Sequence, residues 1–184
     1  LNFIRKAVEI LASLPSIVFG LFGNALFCIY FGLGFSILSG GLTLALMALP
    51  LFIMTTEGGL RNAKKKYLLT GKALGLSQWT LFFKILIPAA SPAIAMGGIL
   101  ALGRSIAETA ALIFTSGYVD RFPESLMDSG RSLSVHIYDL TMNVPGGNEN
   151  AYKTSFVLIA LILGFNSLLI YFVKKWQMKK LVSL

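Results

Sequence analysis

Charge is scarce in this chain of 184 residues: 13% are charged and 55% hydrophobic, and the mean hydropathy is +0.75. Soluble domains carry roughly 25% charged residues, so this composition belongs to a membrane protein. Cysteine is scarcer still. Cys28 stands alone, which excludes an internal disulfide, and its apolar surroundings make it a packed or lipid-facing residue rather than a reactive thiol. The single histidine, His136, has no second histidine or cysteine near it, so no metal site is expected there. Missing too are a Gly-x-x-x-x-Gly-Lys-Ser/Thr loop for ATP, a Gly-x-Ser-x-Gly elbow and a His-Glu-x-x-His pair. The chain is therefore read as neither an ATPase nor an intramembrane hydrolase, and no cofactor is expected. It opens on Leu1 without a signal-peptide pattern, and is expected to be a piece of a longer protein.

The chain does have long apolar runs. A bilayer core takes roughly 20 helical residues, and the sequence predicts all-α, polytopic architecture with spans over about 10–33, 35–54, 92–115 and 156–173. Residues 1–174 form the transmembrane domain and 175–184 a basic tail. Leu1–Leu11, with Arg5, Lys6 and Glu9, reads as a segment lying along the membrane before the chain turns in. Pro15 is expected to kink or open the first span, and Gly32 and Gly34 to make a tight hairpin. Pro50 is expected to kink the second span. Ser36, Gly40 and Gly41 give that span a narrow face for helix packing.

The polar interval 55–88 interrupts these runs with Glu57, Arg61 and Lys64-Lys65-Lys66. Tyr67–Leu74 reads as a short helix ended by a left-handed Gly75, with Ser77 capping the next helix. Such a segment is either a docking surface for a partner or a solvated loop; spacing does not separate the two. The loop 116–153 contains Ser132–Leu140, which reads as a short re-entrant or interfacial helix.

The net charge of +8 does not imply nucleic acid, because the basic residues flank apolar spans and serve no nucleic-acid motif. Twelve of the 16 Lys and Arg lie in Leu1–Leu11, in 55–88 or after Val173. The 116–153 loop has Arg121, Arg131 and Lys153 against Asp120, Glu124, Asp128, Asp139 and Glu149. The positive-inside rule then places both ends and the 55–88 segment in the cytoplasm.

Arg104 and Glu108 fall inside the third predicted span. Each ionised group there costs roughly 2.5–3.5 kcal/mol on insertion scales, so neither is expected to face lipid. At i and i+4 on a helix they share a face. They are either a structural ion pair or polar points on a translocation path, and intramembrane ionisable residues favour the second reading.

Five stretches in order carry a resemblance that covers nearly the whole chain: Leu14–Gly20, Leu42–Leu46 with Leu49-Pro50, Gly103–Ala110, Gly130–Leu133 and Asn143–Gly147. They resemble the type-1 ABC importer permeases, specifically the A-type permease subunit of the phosphate-specific transporter. The resemblance implies a six-span core, of which this chain is the last four spans. Implied partners are ABC ATPase subunits, a second related permease and an extracytoplasmic phosphate-binding protein, with phosphate as substrate and the lipid bilayer as surroundings. It implies that Arg104 and Glu108 lie on the translocation path and that 55–88 holds the coupling helix.

One departure matters. Where the family has Glu-Ala-Ala, three residues and Gly, this chain has Leu69-Thr70-Gly71 before Gly75. The acid that would face the ATPase is missing, and Lys64 and Gly58-Gly59 replace a proline and a Glu-Ala pair upstream. Ala107 and Ala111 stand where Gly and Pro are usual. Rival readings are the same architecture carrying molybdate, tungstate or sulfate, or a divergent subunit that does not transport.

Overall fold

The computed structural model describes residues 2–182; the end of the expected basic tail, and nearly all of its side chains, lie outside the described residues. The described residues are helical, without a strand. Helices α1 (Asn2–Ser13) and α2 (Ser16–Tyr30) meet at 99°. Leu14 and Pro15 make the corner: Pro15 is extended at φ −60°, ψ 144°, and its ring keeps the preceding residue out of helical geometry. The helix expected to run from about residue 10 is therefore broken at Leu14–Pro15, and its second part starts at Ser16. α1 carries an exposed Arg5–Glu9 pair at 2.9 Å and packs on the far end of α3.

The second half of α2, Asn24–Tyr30, is wound as a π-helix. Gly32 and Gly34 then turn the chain at φ +69° and +60°, in the left-handed region that glycine enters without steric cost. The predicted hairpin is present.

Helix α3 (Ile37–Ala73) is capped by Ser36, whose hydroxyl accepts from the Ser39 N–H at 3.1 Å. It was expected to stop near residue 54 and to be followed by a separate short helix; instead it runs unbroken for 37 residues, about 55 Å. Hydropathy marks where the apolar environment ends, not where the backbone stops being helical. Beyond Met54 the helix continues through Thr55, Thr56, Gly58 and Gly59, which are poor helix formers; packing on the next helix and an i,i+4 pair, Glu57–Arg61 at 2.6 Å, support it there. Pro50 sits inside the helix without ending it.

The end of α3 matches expectation in detail. Leu76 N–H donates to Gly71 C=O at 3.1 Å and Gly75 N–H to Lys72 C=O at 3.0 Å, with Gly75 at φ +68°. This pair of bonds is the Schellman C-cap. Ser77 then accepts from the Thr80 N–H at 3.2 Å and opens helix α4 (Gln78–Ile106).

α4 starts well before the third span was expected. Leu81–Leu86 is π-wound just ahead of Pro88, whose missing N–H and bulky ring disturb the α register. The Pro88 carbonyl that Pro92 cannot reach is taken by Ser91 Oγ at 2.8 Å. The span predicted to continue to residue 115 ends at Ile106, and a short helix α5 (Ala110–Ile113) follows a break.

Helix α6 (Leu133–Met142), capped by Ser132, is a short helix where the sequence predicted one over Ser132–Leu140. Helix α7 (Asn148–Val182) begins eight residues ahead of the fourth predicted span, its first turns carrying the Glu149–Lys153 pair at 2.7 Å.

The largest helix contact is α3 on α4. Small residues let the two approach: Gly59 meets the Ala93 side chain, and Gly97 meets Phe52 and Thr55. At one end Ala63, Leu81, Leu86 and Ala90 form a buried cluster. At the other, α2 packs Gly20 onto the Ala111 backbone and Gly23 onto Thr43. The polar residues buried in that region are satisfied: Thr43 Oγ1 donates to Ser39 C=O at 2.8 Å, and Ser116 Oγ to Gly130 C=O at 2.6 Å. Among the described residues, three helices are long and apolar enough to cross a membrane, and the bent α1–α2 pair makes a fourth candidate. The protein is all-α and polytopic.

Candidate translocation and coupling sites

Arg104 lies in the last turn of α4. Gly97 packs beside Phe52 and Thr55 of α3, so Arg104, about 10 Å further along α4, lies level with the apolar half of α3. Its side chain is exposed and makes no ion pair or hydrogen bond with the described residues.

Glu108 does not share its helix face. The helix ends at Ile106, so the i,i+4 relation read from the sequence is not realised, and no ion pair joins the two. The half-buried Glu108 carboxylate instead turns to the Ala111 N–H at 3.4 Å, in the first turn of α5. Its backbone carbonyl accepts from Ser134 Oγ of α6 at 2.6 Å. No glycine or proline lies between Ile106 and Ala110, so nothing local marks the break, and a bond from another part of the chain helps hold it. The result is a helix broken level with the apolar half of α3. It leaves one cation unpaired, and the freed backbone is partly satisfied by neighbouring helices, as such breaks require in lipid.

A further polar group at this level went unnoticed in the sequence. Asn166, in the apolar stretch of α7, lies against Gly103, and a Cβ added to Gly103 would stand 3.2 Å from Asn166 Oδ1. The available signal was one carboxamide in the run Phe156–Val173.

The predicted coupling residues lie at the far end of α3. Leu69 is 79% exposed and Thr70 is also exposed, whereas Gly71 is buried. A Cβ at Gly71 would come 2.5 Å from Leu81 Cδ1, so this glycine sets the contact between the end of α3 and the start of α4. Gly75 makes the turn between them. Around it Leu74 and Trp79 project outward, 70% and 75% exposed, with Trp79 stacked on Phe83 at 5.8 Å between ring centroids. Sequence reasoning did not pick out these three apolar residues as part of the surface.

On the opposite side, Arg131 has only 10% of its side chain exposed and bridges Asp120 at 2.7 Å and Asp139 at 2.5 Å. The hydrogen bond from Arg131, and then its charge, hold the Asp120 carboxyl below the usual carboxylate range. Arg131, Arg121 and His136 line a cavity of about 660 Å³ beside the 116–153 loop. No group of three His, Cys, Asp or Glu among the described residues is placed to hold a metal.

Broken helices, small-residue seams and an exposed turn beyond the apolar slab are the parts of a transport protein's membrane domain. Residues 2–183 match the family described as binding-protein-dependent transport system inner membrane component, and the chain belongs to that family. Its similarity to individual members is of the PstA type. It is 33% identical over 171 residues to the phosphate transport system permease protein PstA 2 of Mycobacterium tuberculosis (strain CDC 1551 / Oshkosh), covering 92% of this chain and 56% of that protein. It is 36% identical over 180 residues to the probable ABC transporter permease protein YqgI of Bacillus subtilis (strain 168), covering 90% of this chain and 61% of that one. The phosphate transport system permease protein PstA homolog of Mycoplasma genitalium (strain ATCC 33530 / DSM 19775 / NCTC 10195 / G37) is 31% identical over 182 residues, covering 92% of this chain and 27% of that protein. The chain thus spans less than two thirds of the length of each of these relatives.

Proposed function

We propose that this chain is part of a membrane-spanning permease subunit of an ATP-driven importer that moves inorganic phosphate into the cell. The observation that carries the reading is Arg104: an unpaired cation at a helix break, level with the apolar part of the fold. An unpaired charge at that depth costs free energy unless it serves an anionic ligand. The phosphate transport permeases among the relatives supply the choice of anion. Glu108, anchored to the first turn of α5 and close to Arg104 in the chain, is the second path residue and tunes the field at the break.

In this reading a second, related permease completes the path, and an extracytoplasmic phosphate-binding protein delivers the anion. ABC ATPase subunits seat the turn formed by Leu69, Thr70, Gly71 and Gly75. Both ends of the chain and the 55–88 segment face the cytoplasm, supported by twelve of the 16 Lys and Arg falling there. The packing of α1 on α3 is consistent with that sidedness, since it brings Arg5 and Lys6 to the end carrying Arg61 and Lys64–Lys66. The exposed Leu69, in place of an acid, favours docking through apolar contact and neighbouring lysines over docking through a carboxylate.

The test is uptake of labelled phosphate into vesicles holding the full-length protein and its partner subunits. Uptake that requires ATP, and that sulfate, molybdate and tungstate do not compete away, supports the reading. Equal competition by those anions overturns phosphate as the substrate.

A further inference from the structure

Two buried side-chain oxygens lack a partner among the described residues, Thr56 Oγ1 and Asn166 Oδ1. Asn166 is the more informative, because its surroundings are otherwise apolar from Phe156 to Phe165. A buried acceptor without a donor costs about 1–3 kcal/mol, whereas leucine would fill similar space without that cost. The carboxamide is thus a liability if its only task is packing. It lies against Gly103, whose missing side chain gives it room, with the added Cβ position 3.2 Å from Oδ1 and 3.4 Å from Nδ2. Arg104 is the next residue along α4, a cation with no acceptor. Among the described residues, an acceptor lacking a donor thus lies against Gly103, and a cation lacking an acceptor is the next residue of the same helix, just before its break.

We infer that Asn166 is a specificity-determining residue of the path, its carboxamide oxygen accepting a hydrogen bond from a protonated oxyanion while Arg104 balances the anion's charge. The inference rests on the transport reading above. Hydrogen phosphate offers both kinds of group: P–OH donors and ionised P–O acceptors. Sulfate, molybdate and tungstate are fully ionised near neutral pH and offer acceptors alone. Arg104 satisfies acceptors on any of them. Asn166 Oδ1 is satisfied only by an anion that carries a proton, and is left facing a lone pair by one that does not. Gly103 leaves room for the carboxamide, since a side chain there would press on it.

The experiment uses the complete importer with its binding protein in proteoliposomes, reading ATP-driven uptake of labelled phosphate together with retention of the ATPase subunits. Asn166→Leu keeps the volume and removes the acceptor; uptake is expected to fall roughly tenfold or more, as loss of one buried hydrogen bond implies. Asn166→Gln keeps a carboxamide and is expected to recover part of the loss, and both variants keep their ATPase subunits. Uptake by Asn166→Leu within twofold of the unmodified protein overturns the inference and leaves the transport reading standing. So does equal impairment of the Leu and Gln variants. No phosphate uptake by the unmodified importer overturns both.

Discussion

Gly71 and Leu81 give the sharpest test of how the coupling end is built. In Gly71→Ala the new Cβ would lie 2.5 Å from Leu81 Cδ1. Leu81 is 4% exposed and clustered with Ala63, Leu86 and Ala90, so it has little room to turn away. Overpacking of this kind costs about 1–3 kcal/mol. Replacing glycine by alanine inside a helix returns about 1 kcal/mol. The two terms nearly cancel at the low end, so the single variant is expected to be between neutral and about 2 kcal/mol less stable. Leu81→Ala alone loses a buried side chain, at about 2–5 kcal/mol. In the Leu81→Ala background the clash is gone but the helix-propensity gain remains, so Gly71→Ala becomes stabilising there. The predicted coupling is about 1–3 kcal/mol, read as a double-mutant cycle from denaturant or thermal unfolding of the purified importer in detergent. Gly71→Ala acting alike in both backgrounds would refute the packing argument and leave Gly71 as a surface position only.

Further outcomes follow from the same geometry. Gly75→Ala places a side chain at φ +68°, which costs about 1–2 kcal/mol; ATPase subunits should co-purify less well, and Gly75→Asn should be milder. Leu69→Glu restores an acid at a site already 79% exposed, so the fold should tolerate it and ATPase association, measured by co-purification yield, should rise. In the 116–153 loop, the depressed Asp120 carboxyl stabilises the fold fully above its ordinary value of 3.8, and that contribution is lost as pH falls through the lower folded value. Proteolysis between residues 120 and 139 should therefore rise at acid pH, and Arg131→Met should produce the same sensitivity at neutral pH.

Turns and caps were legible in the sequence because they depend on single residues with single physical reasons. Gly32, Gly34 and Gly75 take positive φ, Ser77 Oγ accepts from the Thr80 N–H at a helix start, and Pro15 forces a corner. The span boundaries were legible only as membrane boundaries. α3 runs past Met54, α4 begins before Pro88 and α7 begins before Phe156, because charged residues end an apolar run without ending a helix. The break after Ile106 was not legible at all. Its residues are ordinary helix formers by local preference, and its support includes Ser134, which is distant in the chain. With the break hidden, Arg104 and Glu108 looked like an i,i+4 pair. With it visible, Arg104 is free and Glu108 is anchored elsewhere. Asn166 was missed for a related reason: one amide in an apolar run gains meaning only once it is known to lie against Gly103, the residue before Arg104.

Arg104→Gln in the complete importer tests the central claim most directly. Phosphate uptake and subunit assembly would be measured side by side, with ATP present and absent. The account predicts that uptake is abolished while the permease remains assembled with its ATPase subunits, because the guanidinium contacts nothing in the fold that assembly needs. Uptake at the unmodified rate would contradict it, and would return Arg104 to the role of a structural charge.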